Sequence, residues 1–342
     1  MRRGVPTIRE VAEAAGVSIS TVSNVLYGKQ GYYSPETAER VWQAVKNLGY
    51  RPNHIARSLA RRRTFTVGVV VEQQLGNVSH NLYFGIMLDG ILQGATDSDY
   101  QVKIIRVRPD NPEQAIGHIE DGSVDGVVLA ALLADSPLIE HMEQSHVPSV
   151  VAGSIPPHTK LPCVDVDDTA GMYQAVKWLT QLGHWRIGII LGDLRHWSAR
   201  RRESAYLMAL RDASIEPNPA WRYEGNYILE GGEAGARYLL NTHPRPTAIV
   251  CCNDTMAMGA LRAIHERGIR VPEEVSLVGF DDAPASAYTS PPLTTVRQPV
   301  FDIGLRAAEM LVQQIERGKR CEHNLLFPAE LVVRNTVAPP RD

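Results

Sequence analysis

The sequence is poor in the groups that carry covalent or metal chemistry. Its 342 residues include four cysteines, and none of these forms a Cys-x-x-Cys pair or joins histidines at the spacing of metal ligands. The Gly-x-Ser-x-Gly elbow, the Walker A loop, His-Glu-x-x-His and Gly-x-Gly-x-x-Gly are all missing. His184 and His196 have no evident nucleophile to activate. These absences argue against an enzyme, and we predict no catalytic residue, no metal and no cofactor.

Long apolar runs are missing as well. No run approaches the roughly 20 residues that a membrane-spanning helix needs. The first residues, MRRGVPTIRE, lack the apolar segment of a signal peptide. Cys251 and Cys252 lie in an apolar run, which is typical of reduced core residues. We therefore expect a cytoplasmic protein without a membrane partner.

Charge is present but unevenly distributed. Residues 1–63 contain 11 of the 35 lysines and arginines and 4 of the 38 acidic residues, a local balance of +7. The remaining 24 basic and 34 acidic residues give -10, so the overall charge of -3 hides an asymmetry. A basic segment joined to an acidic body is typical of nucleic-acid binding.

Residues 7–26 have the pattern of two short helices joined by a tight turn. Thr7 and Glu10 form a capping box, which marks the start of the first helix. Gly16 is suited to end that helix because glycine adopts positive φ without strain, and Ser18 is a good N-cap for the second helix. One face of the second helix is small, uncharged and hydrogen-bonding, which suits contact with base edges in a DNA major groove.

A third helix is predicted to begin after Ser34 and to end at Gly49. Its apolar face is expected to consist of Val41, Val45 and Leu48. Three short helices in this order make a helix-turn-helix module. The segment at residues 50–63 follows, and it ends in three consecutive arginines.

These stretches resemble a known family. TIREVAEAAGVSISTVSNVL, SPETAERV and LGYRPNHIARSL are similar to the DNA-binding headpiece and hinge of the LacI/GalR family of bacterial transcriptional repressors. The resemblance implies an all-α headpiece at residues 1–51 and a hinge at residues 52–63 that forms helices in the dimer on operator DNA. A homodimer predicts pseudopalindromic double-stranded operator DNA, because half-sites mirror the twofold symmetry of the protein.

By the same resemblance, a small set of residues contacts DNA. The base-reading positions are Ile19, Ser20 and Asn24. The positions that contact the DNA backbone are Thr21, Ser23 and Asn53. Leu59 matches the leucine that wedges into the minor groove and kinks the central step. Asn24 can pair with adenine, but many relatives have Arg or His there, so the operator sequence cannot be copied from them.

Residues 64–342 alternate between strand-like and helix-like patterns. Strands are predicted at 65–71, 101–107, 126–131, 149–152, 187–192, 248–252 and 275–280. Helical stretches, such as residues 83–95, lie between most of them. This alternation predicts two α/β subdomains with parallel sheets and a ligand cleft at the carboxyl ends of their strands.

The body also resembles the LacI/GalR family. The matching segments are NLYF at 81–84, GHWRI at 183–187, SARRR at 198–202, NDTMA at 253–257, VGFDD at 278–282 and PLTT at 292–295. The resemblance implies the type I periplasmic-binding-protein fold, with two doubly wound parallel-sheet subdomains and three chain crossings near 165–167, 293–296 and 325–328. We assign residues 64–165 and 296–325 to one subdomain and residues 166–293 and 327–342 to the other.

The resemblance also implies an effector site. The positions that match effector contacts are Ser198, Arg202, Tyr227, Asn253 and Asp281. Arg202 offers a fork of donors and Asp281 only accepts, so together they can hold adjacent hydroxyl groups of a sugar. Alternatively, they form a structural salt bridge across the cleft. Tyr227 can pack against a sugar ring, and Phe84 or Trp197 can add to that apolar face.

We therefore predict a DNA-binding transcriptional repressor that acts as a homodimer and is controlled allosterically by a small molecule, a sugar. A purine or nucleoside effector is the alternative, which ring stacking by Tyr83, Phe84 and Tyr227 would favour. A solute-binding protein of a transporter would fit the body, but the basic headpiece argues against it.

One departure from the family pattern concerns the ligand. The loop at residues 72–80 is longer than expected and lacks the Pro-Asp and Asn-Pro pairs that are common there. This loop lines the cleft in relatives, so the identity of the ligand stays open. The tail after Leu331 has no apolar heptads, and we predict no coiled-coil tetramer.

Overall fold

The structure is a computed structural model, which describes residues 6–28, 31–51, 58, 63–72, 82–108, 111–319 and 324–341. The chain divides into two compact units, Met1–Thr64 and Phe65–Asp342. Asn53 and Leu59, for which DNA contacts are predicted, lie outside the described residues. Most of the predicted hinge at 52–63 and of the loop at 72–80 also lies outside them.

The first unit contains three helices: α1 (Ile8–Ala15), α2 (Ile19–Leu26) and α3 (Pro35–Leu48). They share a small core of Val11, Ala12, Ala15, Val22, Val25, Val41 and Ala44. The prediction for the third helix needs one correction. Leu48 is exposed because it is the last residue of α3, and Ala44 occupies the buried face one turn after Val41.

The second unit alternates strands and helices. Its strands are β1 (Thr66–Val71), β2 (Gln101–Arg106), β3 (Gly126–Ala130), β4 (Ser149–Ala152), β5 (Cys163–Val166), β6 (Ile187–Leu191), β7 (Arg222–Glu224), β8 (Ala248–Cys251), β9 (Ser276–Asp281), β10 (Thr294–Arg297), β11 (Leu325–Phe327) and β12 (Glu330–Val332). Its helices are α4 (Leu82–Asp97), α5 (Pro112–Glu120), α6 (Pro137–Gln144), α7 (Asp168–Gln181), α8 (Trp197–Asp212), α9 (Leu229–Leu240), α10 (Asp254–Glu266) and α11 (Val300–Arg317). Two short 3₁₀ turns, Pro219–Trp221 and Pro284–Tyr288, complete the described elements.

The strands form two six-stranded sheets. The first has the order β11-β5-β4-β3-β1-β2, and all of its pairs are parallel. The second has the order β12-β10-β9-β8-β6-β7, and it is parallel except for its edge strand β12, which runs antiparallel to β10. Helices cover these sheets, as expected for parallel strands that are buried on both faces. The predicted fold class is confirmed, with the antiparallel edge strand as an addition.

The seven predicted strands all exist, with ends that differ by a residue or so. The strands without a sequence-based prediction are short, and β11 and β12 have three residues each. Their pairings are long-range: Leu325 pairs with Val164, and Thr295 pairs with Val332. Across the described residues, no helix combines the length and apolar character that crossing a membrane requires.

Candidate functional site

The turn between α1 and α2 is built as its sequence predicts. The Thr7 backbone N–H donates to Glu10 Oε2 at 2.6 Å, and Glu10 N–H donates to Thr7 Oγ1 at 3.4 Å, which completes the capping box. Gly16 ends α1 at φ 65°, in the left-handed region that glycine adopts without strain. Val17 N–H donates to Ala12 O at 3.0 Å, so the end of the helix is closed by hydrogen bonds.

Ser18 organises the start of α2. Its hydroxyl accepts a hydrogen bond from Thr21 N–H at 3.1 Å and bonds the hydroxyls of Ser20 at 2.7 Å and Thr21 at 2.9 Å. Ile19 and Ser20 are exposed, whereas Thr21, Ser23 and Asn24 are half-buried. The exposed end of this helix therefore presents the aliphatic side chain of Ile19 and the hydroxyl group of Ser20. The first can contact thymine methyl groups, and the second can hydrogen-bond to base edges.

A cavity of about 670 Å³ lies within the second unit, between elements of its two sheets. It lies at the carboxyl ends of parallel strands, where α/β folds bind ligands. Val71 and Ala130, at the ends of β1 and β3, line it from the first sheet. Asp281, at the end of β9, lines it from the second. Its volume is within the usual range for small-molecule sites.

The structure brings most of the predicted effector residues to this cavity. Its described lining includes Phe84, Ser198, Arg202, Tyr227, Asn253 and Asp281. Trp197 is not among the lining residues. Its indole faces the Arg200 guanidinium, whose carbon lies 4.7 Å from the ring centroid. The backbone N–H of Trp197 donates to Ser154 Oγ at 3.1 Å, so this residue contributes to packing beside the cavity.

Arg202 has a different partner from the one that the sequence suggested. Its Nε and Nη2 lie 2.8 and 2.7 Å from Asp168 Oδ1, and its Nη1 donates to the carbonyl of Cys252. The guanidinium carbon lies 3.7 Å from the centroid of the Phe280 ring. The salt bridge with Asp281 that was one of the two alternatives is replaced by this pair with Asp168. The negative charges around Arg202 raise its pKa despite its burial.

Asp281 is held by the neighbouring strand end. Its Oδ1 accepts a hydrogen bond from Gln298 Nε2 at 2.5 Å. Its φ is 128°, which is unusual for a residue with a side chain and stores local strain. Burial raises the pKa of this carboxyl to about 7, although the nearby Arg202 acts to lower it.

Tyr227 forms part of the cavity wall through several close contacts. Its hydroxyl bonds Ser198 Oγ at 3.1 Å, and its carbonyl accepts from Asn253 Nδ2 at 3.2 Å. Asn253 Oδ1 accepts from Met256 N–H at 2.8 Å, so the amide of Asn253 mainly caps α10. A Cβ at Gly192 would overlap the Tyr227 ring, which explains a glycine at that position. Burial raises the pKa of Tyr227, so its hydroxyl stays protonated and can donate.

Three residues of this site were not among the predicted effector contacts, although Glu72 begins the loop 72–80 that lines the cleft in relatives. Asp168 neutralises Arg202, while Glu72 and Gln298 line the cavity. Glu72 directly follows β1 and Gln298 directly follows β10. Their positions after strand ends could have marked them as candidates, since ligands bind at those ends. Asp168 gives no such signal, because only packing brings α7 next to α8.

Arg201, beside Arg202 on α8, links elements of the two sheets. Its Nη2 donates to Asp165 Oδ2, in β5 of the first sheet, at 2.8 Å. Its Nη1 donates to the carbonyl of Ile155, which follows β4, at 2.8 Å. Arg201 also reaches Asp168 Oδ2 at 3.0 Å. Burial raises the pKa of Asp165 to about 7, with Asp168 adding to the increase and Arg201 opposing it. Separating the two walls here requires these bonds to break.

A helix-turn-helix module joined to an α/β unit with an inter-sheet cavity defines a ligand-responsive transcriptional regulator. Family comparisons agree with this class. The model for bacterial regulatory proteins of the lacI family matches residues 7–53, and that for a periplasmic binding protein-like domain matches residues 176–337. The ribose operon repressor of Haemophilus influenzae is 34% identical over 334 residues, which are 97% of this chain and 98% of that protein. The chain therefore belongs to the LacI family of bacterial transcriptional repressors.

Other relatives and solved structures support this assignment. The HTH-type transcriptional repressor PurR of Aliivibrio salmonicida is 33% identical over 337 residues, 97% of this chain and 98% of that protein. The lac repressor dimer bound to operator and the anti-inducer ONPF is 29% identical, with a TM-score of 0.85 over 98% of this chain and 100% of that one. The complex of the regulator CelR with cellobiose is 32% identical, with a TM-score of 0.75 over 97% and 99% of the two chains.

Proposed function

We propose that this repressor binds a pseudopalindromic operator as a homodimer and that a sugar in the inter-sheet cavity controls its affinity for DNA. The observation that carries the proposal is the presence, in one chain, of a capped and uncharged α2 face and a cavity of about 670 Å³. Residues 52–63 would then act as the hinge, and the subdomain boundaries given above describe the two walls.

The cavity has the side chains that sugar binding needs. Asp281 is an acceptor, Ser198 and Tyr227 carry hydroxyl groups, and Arg202 has donors beyond those used by Asp168 and Cys252. The Tyr227 ring and the buried Phe84 give apolar surface beside them. Apolar faces with a few polar groups are the usual composition of a small-molecule site. The cellobiose complex of CelR shows that a similar protein binds a sugar.

A purine base or nucleoside is the second candidate. Tyr83, Phe84 and Tyr227 all line the cavity, so aromatic surface is available for a flat ring. The PurR proteins among the relatives share about as much identity with this chain as the ribose operon repressor does.

Control of DNA binding requires the effector to distinguish two arrangements of the cavity walls. A ligand shifts such an equilibrium only by the difference in its affinity for the two states. The bonds of Arg201 to Asp165 and to the Ile155 carbonyl join the walls in the present arrangement. A ligand that favours this arrangement would strengthen the link, and one that favours a more open arrangement would have to break it.

The DNA-binding part of the proposal is tested with Asn24→Ala on an operator selected from random duplexes. We expect a loss of about 1–3 kcal/mol on the selected operator and little change on random DNA, because a base-reading residue acts through sequence. Asn47→Ala, on the exposed face of α3, is the matched control and should change neither. Equal losses on both kinds of DNA would remove the base-reading role of Asn24.

The effector part is tested by thermal shift with sugars, nucleobases and nucleosides, on the wild-type chain and on Asp281→Ala. A ligand present at about 100 times its Kd should stabilise the folded state by about 2.7 kcal/mol. Stabilisation by a sugar that is lost in the variant supports the proposal. A nucleobase that gives the same pattern would select the second candidate instead.

A further inference from the structure

Glu72 is a buried carboxylate in the cavity wall, at the start of the loop 72–80, and the sequence assigned no ligand contact to this side chain. It directly follows β1, lines the cavity and is 7% exposed. Its Oε2 accepts a hydrogen bond from the backbone N–H of Leu133 at 3.2 Å. In the described part of the chain it forms no ion pair, because Arg195, the cation that influences it, is bound to Asp193. Burial is the largest cause of the raised pKa of Glu72.

Carboxylates outnumber cations in the described lining of the cavity. They are Glu72, Asp165, Asp193, Glu230 and Asp281. Salt bridges neutralise two of them, since Arg201 pairs with Asp165 and Arg195 pairs with Asp193. The other three add negative charge to these walls when they are ionised, and burial raises the pKa of Glu72 and of Asp281.

Arg202, the one arginine in the described lining, does not offset this charge. Its guanidinium is neutralised by Asp168, whose side chain is fully buried. An anionic group in the cavity would lose its hydration beside Glu72 and Asp281. A buried charge without a partner is strongly disfavoured, so the walls oppose the binding of phosphate or carboxylate groups.

Gln298, which lines the same cavity, carries a further hydrogen-bond acceptor. It is 4% exposed, and its Nε2 donates to Asp281. Asp281 Oδ1 accepts this bond, which fixes the amide of Gln298 with its own oxygen on the other side. Within the described residues that oxygen is buried and has no hydrogen-bond partner. A buried acceptor is normally satisfied, so the amide oxygen of Gln298 is an acceptor for which the described residues supply no partner.

We propose that Glu72 is a specificity-determining residue, which accepts a hydrogen bond from a hydroxyl group of the effector and excludes effectors that carry phosphate or carboxylate groups. The effector is therefore a polyhydroxyl compound without phosphate or carboxylate groups, and sugar phosphates and nucleotides are rejected. The proposal rests on the proposed function, because it concerns the same cavity, and it adds the charge of the ligand and the residue that selects it.

The first experiment uses matched pairs of probes on the full chain at about pH 8, well above the ordinary pKa of a glutamate carboxyl group. The pairs are ribose and ribose 5-phosphate, glucose and glucose 6-phosphate, and adenosine and AMP. A bacterial metabolite extract, divided on an anion exchanger into retained and unretained fractions, extends the set, with bound compounds identified by mass spectrometry. We expect binding only by uncharged members and by the unretained fraction. Binding of a phosphorylated member as tightly as its partner, or no binding from the uncharged set, would overturn the proposal.

The second experiment tests the contribution of Glu72 itself. Glu72→Gln keeps the size of the side chain and an acceptor for Leu133 N–H, but removes the charge. The substitution should weaken binding of the uncharged ligand by about tenfold or more. It should also reduce the ratio between the Kd of the phosphorylated probe and the Kd of its uncharged partner. Glu113→Gln, an exposed carboxylate of α5 outside the cavity, is the control and should leave both unchanged. Unaltered selectivity in Glu72→Gln would assign the discrimination to other residues and reject the role of Glu72.

Operator binding by the same variants separates this proposal from the proposed function. Without ligand, the control Glu113→Gln should bind the selected operator as the wild type does, because this carboxylate is exposed on α5 and lies outside the cavity. If the wild type selects no DNA, the proposed function fails while the charge selectivity of the cavity remains measurable. If DNA is selected and the phosphorylated probes bind, the role of Glu72 fails alone.

Discussion

The pair of Arg202 and Asp168 gives the sharpest prediction for the ligand-binding unit. Arg202→Met removes the charge but keeps a long apolar side chain against Phe280. The variant leaves Asp168, which is fully buried, without two of its hydrogen bonds and leaves the Cys252 carbonyl without its donor. Loss of one partner of a buried ion pair costs about 3–5 kcal/mol. Because Arg201 still reaches the other oxygen of Asp168, we expect a value near the lower limit, about 3 kcal/mol.

Urea unfolding followed by circular dichroism measures this loss as a lower midpoint with an unchanged slope. Asp168→Asn and the double variant complete a cycle, in which the coupling energy should be about 0.5–3 kcal/mol. Arg262→Met is the matched control, because Arg262 is exposed and its ion pairs with half-buried Glu233 and exposed Glu266 should be worth less than about 1 kcal/mol. Additive effects in the cycle, or a loss in Arg202→Met no larger than in the control, would refute the reasoning.

Two further predictions concern helix capping and pH. Ser18→Ala should destabilise the first unit by about 0.5–2 kcal/mol, because Thr21 N–H loses its acceptor, while the unfolding of the second unit stays unchanged. Hydrogen exchange of α2 amides measures this, and protection equal to the wild type would contradict it. Burial raises the pKa of Asp281 from 3.8 to about 7, so the folded state binds more protons than the unfolded state between these values. The contribution of Asp281 to stability should therefore fall as pH rises through this window, and the stability of the wild type relative to Asp281→Asn should decline from pH 5 to pH 8. A difference independent of pH would show that this carboxyl keeps its ordinary pKa.

The sequence by itself determined the local structure of this protein. The turn between the first two helices follows from Thr7, Glu10, Gly16 and Ser18, because capping and positive φ depend on residue type and near neighbours. The longer strands follow from runs of β-branched residues, and alternation with helices predicted parallel sheets. The family resemblance added the positions of the effector residues, most of which the structure brings to the cavity.

Only the tertiary structure decided which side chains interact across the cavity. Arg202 binds Asp168 rather than Asp281, and the two partners are 34 residues apart on different helices. Glu72 and Gln298 became candidates because folding brought two distant strand ends to one cavity. A position after a strand end can suggest a candidate, but the contacts are long-range, and packing sets both the partner of a charged group and its burial. The charge of the cavity walls, and with it the class of ligand, is therefore a property of the folded chain.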